Sequence, residues 1–145
     1  MALLLSRQAL PILPATENVA KGAYVILDVN EPQVQFVASG SEVALALDSA
    51  RELERRGIKV RVVSMPSWEL FDSQNLEYRN SIFPARLANV VIEAGVSMGW
   101  HKYVGNHAAF VTLDRFGASA PIKDVYPRLG FSVNNVVSEA MKVLR

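Results

Sequence analysis

The sequence predicts an α/β fold: a three-layer α/β/α sandwich around a five-stranded, mixed but mostly parallel sheet. Three observations predict it. Short runs rich in branched apolar and aromatic residues recur at 23–29, 34–38, 60–64, 88–95 and 107–114, as strands of a buried sheet require. The longer segments among them carry apolar residues at helical spacing. The order strand, helix, strand within about thirty residues of 34–64 forms a βαβ unit, which imposes a parallel pair and a right-handed crossover.

The first apolar run, Leu3 to Leu5, leads into Ser6-Arg7-Gln8 and is broken off by Pro11 and Pro14. It resembles a strand, followed by a linker that reaches Gly22. Residues 23–29 and 34–38 are separated by the turn residues Asn30-Glu31-Pro32-Gln33, so an antiparallel hairpin is expected. Ser39 and Glu42 have the spacing of a capping box. Val43, Ala46, Leu47, Ala50 and Leu53 then mark one face of a helix that ends at Arg55-Arg56-Gly57, with glycine in the usual place after a helix. Arg55 and Arg56 complement the negative end of that helix.

After the strand at 60–64, residues 65–84 predict a short helix at 73–80 flanked by loops. The run 88–95 is almost continuously apolar, as in an interior parallel strand, and 107–114 is the last strand. A short helix begins near Pro121, a residue suited to a first turn, and Pro127 is expected to stop it. The closing helix spans 132–144, with Val133, Val136, Val137, Ala140, Met141 and Leu144 on one stripe.

Composition narrows the function classes. The 15 Lys and Arg balance 14 Asp and Glu, giving a formal net charge of +1. No basic block marks a nucleic-acid or membrane surface. The absence of cysteine excludes disulfides, thiol nucleophiles and cysteine-held metals. Residues 1–14 lack a signal-peptide pattern, and no run approaches the roughly 18 apolar residues of a membrane span. A cytoplasmic protein is expected.

Few residues carry chemistry on their own. The turn Ser39-Gly40-Ser41 joins a strand to a helix, where backbone N–H groups and the helix dipole can bind an anion. It lacks the further glycines and the lysine of the nucleotide-binding loops, and a capping box that closes the helix is the stronger reading. His101 and His107, six residues apart, do not have the spacing of paired metal ligands on a helix. Glu93 closes an apolar strand at the end where α/β sheets place ligands. Trp68, Phe71, Trp100, Tyr103 and Phe116 fit packing between layers or against another domain as well as substrate stacking. Arg7 carries a permanent charge on a fork that matches phosphate or carboxylate, or it is a solvated surface residue.

Taken together, LSRQ (5–8), ASGSEVALAL (38–47), VRVVSMPSWELFDSQ (60–74), VIEAGVSMGWHKYVG (91–105), DRFGASAP (114–121) and GFSVNNVV (130–137) resemble the C-terminal part of a transketolase. The resemblance implies a thiamine-diphosphate enzyme of the pentose phosphate pathway that moves a two-carbon ketol unit from a ketose phosphate to an aldose phosphate. The full-length enzyme would be a cytoplasmic homodimer with Mg or Ca beside the cofactor. By the same resemblance, residues 1–10 correspond to the last strand of the preceding pyrimidine-binding domain, 11–22 to a linker and 23–145 to the C-terminal domain. Arg7 matches the family's sugar-phosphate-binding arginine. Ser39, Gly40 and Ser41 are the other candidate anion contacts.

No catalytic, cofactor or metal ligand is expected in this chain, no ketol transfer by the chain alone, and no nucleic-acid or membrane partner. Its partners would be the remaining transketolase domains, a second subunit and, in the full-length enzyme, sugar phosphates. Two alternatives are a stand-alone α/β binding or regulatory module, and the homologous last domain of a deoxyxylulose-phosphate synthase or a 2-oxo acid dehydrogenase β subunit.

Overall fold

In the computed structural model, residues 8–13 and 17–144 are described. Arg7 and the predicted strand at Leu3 to Leu5 lie outside them. A single five-stranded sheet has the order β1-β3-β2-β4-β5. Its strands are β1 (Tyr24–Leu27), β2 (Val34–Ala38), β3 (Val60–Ser64), β4 (Ala88–Glu93) and β5 (Ala108–Thr112). Pairs β2–β3, β2–β4 and β4–β5 are parallel; only β1, at one edge, runs antiparallel.

The expected hairpin between β1 and β2 does not form: β3 lies between them. All five residues of β2 are buried, as the centre of a sheet requires. The crossover after β2 returns β3 directly beside it, taking the place a hairpin partner would need. The connection 28–33 can span far more than the roughly 10 Å across one intervening strand. β1 therefore keeps the antiparallel direction of a hairpin and pairs with β3, Tyr24 opposite Ser64.

Helices cover both faces. On one face, α1 (Glu42–Arg55) and α6 (Val133–Val143) pack Val43, Ala46, Leu53, Val136 and Ala140 against Val34, Phe36, Val62, Val90 and Ile92. On the other, α2 (Trp68–Asp72), α3 (Leu76–Ile82) and α4 (His101–Val104) bring Phe71, Ile82 and Trp100 against Val37, Val63 and Val91. The alternation of Phe36 and Val37 between the two cores is the strand's period of two, realised on both faces at once. α5 (Ile122–Arg128) borders the α1 side through Tyr126, whose ring meets Phe131 at 5.3 Å.

Other expectations need correction. The 65–84 region holds two helices instead of one short helix, because Ser67 and Asn75 each accept a hydrogen bond from the backbone N–H three residues on and start a separate helix. Pro127 does not stop α5 but sits inside its last turn, and the helix ends one residue later. Met141 is exposed, outside the buried stripe of α6. Arg55 and Arg56 both bond the Glu52 carboxylate, one turn back on α1. Among the described residues no helix is long and apolar enough to cross a membrane.

Candidate functional site

The connections out of β2 and β4 lead in opposite directions along the sheet, β2 to β3 and β4 to β5. Open α/β sheets bind ligands in the crevice that such a reversal leaves at the strands' C-terminal ends. Here Ser39 follows β2 and Glu93 ends β4, and the serine Oγ donates to Glu93 Oε2 at 2.6 Å. The crevice is thus spanned by a charge-assisted bond between residues 54 positions apart.

Beside it, Glu42 opens α1 and is only 4% exposed. Its Oε1 accepts from Ser41 Oγ at 2.8 Å and from the Tyr126 hydroxyl at 2.6 Å. The predicted capping box is absent. Ser41, not Ser39, precedes the helix, and its side chain makes no cap bond. Ser39 lies too far from the helix start to cap it, and its hydroxyl donates to Glu93. Gly40 turns the chain at a φ of 52° with open space where a side chain would sit.

Both hydroxyls of the Ser39-Gly40-Ser41 turn therefore face carboxylates of the protein itself. Burial pushes the Glu93 carboxyl above its ordinary range, the Ser39 bond opposes this, and the nearby Glu42 adds to it. Burial also raises the Tyr126 phenol, and its bond to Glu42 adds to that shift. The arrangement can hold or share protons between carboxyl and hydroxyl groups. Its acidic lining favours a cation or a neutral donor over an anion.

A raised carboxyl favours the folded state while protonated, and that contribution fades as pH rises through the folded-state value. At pH 7 the partly buried Glu93 carboxyl is therefore a cost to folding relative to acid pH. Glu93→Gln keeps an acceptor for Ser39 and removes the charge, so it should raise Tm by roughly 2–4 °C at pH 7. The difference should shrink as pH falls below the ordinary carboxylate range. A thermal-melt series across pH checks this; a variant less stable at pH 7 would contradict it.

The remaining candidates lie apart from this crevice. His101 is exposed on α4, its Nδ1 3.3 Å from the Gly105 carbonyl oxygen. His107 is exposed at the opposite edge of the sheet, just before β5. Asp114 accepts from the Ser97 N–H and hydroxyl and from Thr112, which ties the loops after β4 and β5 together. Those bonds hold its carboxyl below the usual range. Trp68 and Trp100 meet edge to face at 5.1 Å, and Trp100 and Phe71 are buried in the core. Phe116 is 96% exposed. Glu42 as a hydroxyl acceptor and Tyr126 as its donor are not apparent from the sequence, since 84 residues separate them and no local motif marks the tyrosine.

Residues 22–132 match a family model described as the transketolase-like C-terminal domain. The chain belongs to the transketolase family. It is 46% identical over 99% of its length to a transketolase of Halalkalibacterium halodurans, and 45% identical over 99% to transketolase 1 of Escherichia coli. It spans 22% of the length of each of these curated transketolases.

Among solved structures, the Leishmania mexicana transketolase is 46% identical and superposes with a TM-score of 0.81 over 88% of this chain and 18% of its own. A Pichia stipitis transketolase described in complex with xylulose 5-phosphate gives a TM-score of 0.88 at 36% identity, over 95% of this chain and 20% of its own. A split-gene transketolase described as an inactive β4 tetramer gives 0.74 at 25% identity, over 95% of this chain and 48% of its own. The transketolase C-terminal fold is thus the one described above: a five-stranded mixed sheet between two helical layers.

Proposed function

We propose that this chain acts as the C-terminal domain of a thiamine-diphosphate-dependent transketolase. Such an enzyme transfers a two-carbon ketol group from a ketose phosphate to an aldose phosphate in the pentose phosphate pathway of the cytoplasm. The observation that carries this is the 42–46% identity to curated transketolases across nearly the whole chain. The solved Pichia complex with xylulose 5-phosphate supports the substrate class. Residues 1–10 would end the preceding domain, 11–22 would link, and 23–145 would pack against the other domains and a second subunit.

Among the described residues no group of three or more His, Cys, Asp or Glu side chains could hold a metal ion. The described residues thus offer no ligand cluster for the Mg or Ca that would accompany thiamine diphosphate, and no chemical step is assigned to them. The cofactor would be held by the parts of a transketolase that this chain does not span. Arg7 is proposed to bind the sugar phosphate through a bidentate, charge-assisted contact, which positions the substrate instead of reacting with it. At Ser39, Gly40 and Ser41 an anion would have to displace Glu42 and Glu93, so the proposed role of that turn is to hold α1 against β4.

The test is a chimera in which this chain replaces the corresponding last 22% of Escherichia coli transketolase 1. The chimera should transfer ketol groups from xylulose 5-phosphate to ribose 5-phosphate, while the chain alone should not. The inactive split-gene β4 tetramer supports the second expectation. Within the chimera, Arg7→Ala should raise KM for phosphorylated donors by about 1.5–3 kcal/mol, roughly tenfold to a hundredfold. Turnover by the chain alone, or an unchanged KM, would defeat the corresponding assignment.

A further inference from the structure

At the end of the sheet opposite the Ser39–Glu93 crevice, where the parallel strands begin, the loops leading into β4 and β5 line a cleft of about 480 Å³. Its wall carries Arg86, Lys102 and His107, and no carboxylate among the described residues. Phe83 and Leu87 supply apolar surface. Asn89, only 5% exposed, also lines it. The Asn89 amide is oriented from both ends: its Oδ1 accepts from Gln35 Nε2 at 3.0 Å, and its Nδ2 donates to the Leu87 carbonyl oxygen at 2.9 Å. Nδ2 has two hydrogens, and the second makes no bond among the described residues.

Arg86 makes no ion pair among the described residues, whereas Lys102 is shared with Asp72, which is not on this wall. Arg86 also borders a second cleft of about 420 Å³. That one contains Asp28, 3.8 Å from Arg61, and Glu31, 4.0 Å from Lys59 outside its wall, so its carboxylates would repel an anion. Of these two clefts, the first combines positive charge of Arg86 that has no ion pair among the described residues, a buried amide donor and an apolar wall.

We propose that this cleft binds a small organic anion. Its phosphate or carboxylate would meet Arg86 and Lys102, a second acceptor would take the free Asn89 N–H, and its carbon skeleton would rest on Phe83 and Leu87. The volume suits a metabolite-sized ligand. A planar guanidinium fork suits either anionic group. The site is separate from the Ser39–Glu93 crevice and does not depend on the transketolase reading.

The test is a titration of the ¹⁵N-labelled 145-residue chain with inorganic phosphate, citrate or uncharged glycerol at constant ionic strength. Saturable shifts should appear at the amides of 83–89 and 102–107 with phosphate, citrate or both, and not with glycerol. Which anion saturates separates phosphate from carboxylate recognition. Arg86→Ala, an exposed position, should weaken binding about tenfold. Arg51→Ala, an exposed arginine of α1 on the other face of the sheet, should leave it unchanged. The proposal is overturned if no saturable shift occurs, if shifts centre on 39–42, or if both variants behave alike.

Discussion

Gly22→Ala should destabilise the chain by about 3–5 kcal/mol. Gly22 has a φ of 82°, in the left-handed region. A Cβ there would lie 2.2 Å from the Phe71 nitrogen and 2.4 Å from the Ser67 carbonyl oxygen. Both are backbone atoms of the α2 entry and cannot swing aside like a side-chain tip. The same contact is held by a hydrogen bond from the Ser67 N–H to the Gly22 carbonyl oxygen at 3.0 Å. The adjoining chain is pinned as well: the Lys21 ammonium lies over the Tyr78 ring, and the Tyr78 hydroxyl bonds the Ala23 carbonyl oxygen.

Gly57 provides the control. Its φ is 78°, yet nothing lies within 4 Å of the position a Cβ would take. Gly57→Ala should therefore cost only the left-handed conformation, about 1 kcal/mol. Urea unfolding of both variants separates steric clash from backbone strain. Equal losses would show that the approach of Gly22 to α2 is looser than described.

These two glycines also mark how far local sequence carries. Gly57 follows a charged helix end, and its role is legible there. Gly22 closes a segment that composition presents as a plain linker, while its constraint comes from Ser67 and Phe71, far along the chain. The same division runs through the sheet. Val34 to Ala38 and Ala88 to Glu93 announce themselves as interior strands, because burial on both faces demands unbroken apolar runs. That β3 separates β1 from β2 depends on crossover geometry, which no turn residue encodes. At the crevice, Ser39 and Glu42 have capping spacing, while the carboxylate that Ser39 meets arrives from Glu93. Short-range chemistry was readable there; the winning partner was not. Glu93 itself could be singled out by its place at a strand's C-terminal end. Tyr126 could not, as its helix gives no local sign of facing α1. Arg7 gains a role only from the resemblance of LSRQ to transketolases.

Trp100→Ala should cost about 3–5 kcal/mol and should dissolve the α4 corner before the rest of the sheet unfolds. Trp100 is 2% exposed and sits immediately before α4, a helix of only four residues with no side-chain cap. So short a helix cannot sustain itself by backbone bonding. Its position depends on the packing of Trp100 against Trp68 at 5.1 Å and Tyr103 at 6.4 Å. Trp68 in turn fills the space beside Gly99, where a Cβ would come within 2.6 Å of the indole ring. The corner also places Lys102 and Tyr103, both bonded to Asp72. The Lys102 ammonium holds the Asp72 carboxyl below its usual range. Removing the indole should therefore release the Lys102 side of the cleft together with α4. Amide exchange would show this as loss of protection at 101–104 while β2 and β4 stay protected. A variant that loses stability but keeps α4 protection would mean that the corner is held by Asp72 and its partners instead of by the indole.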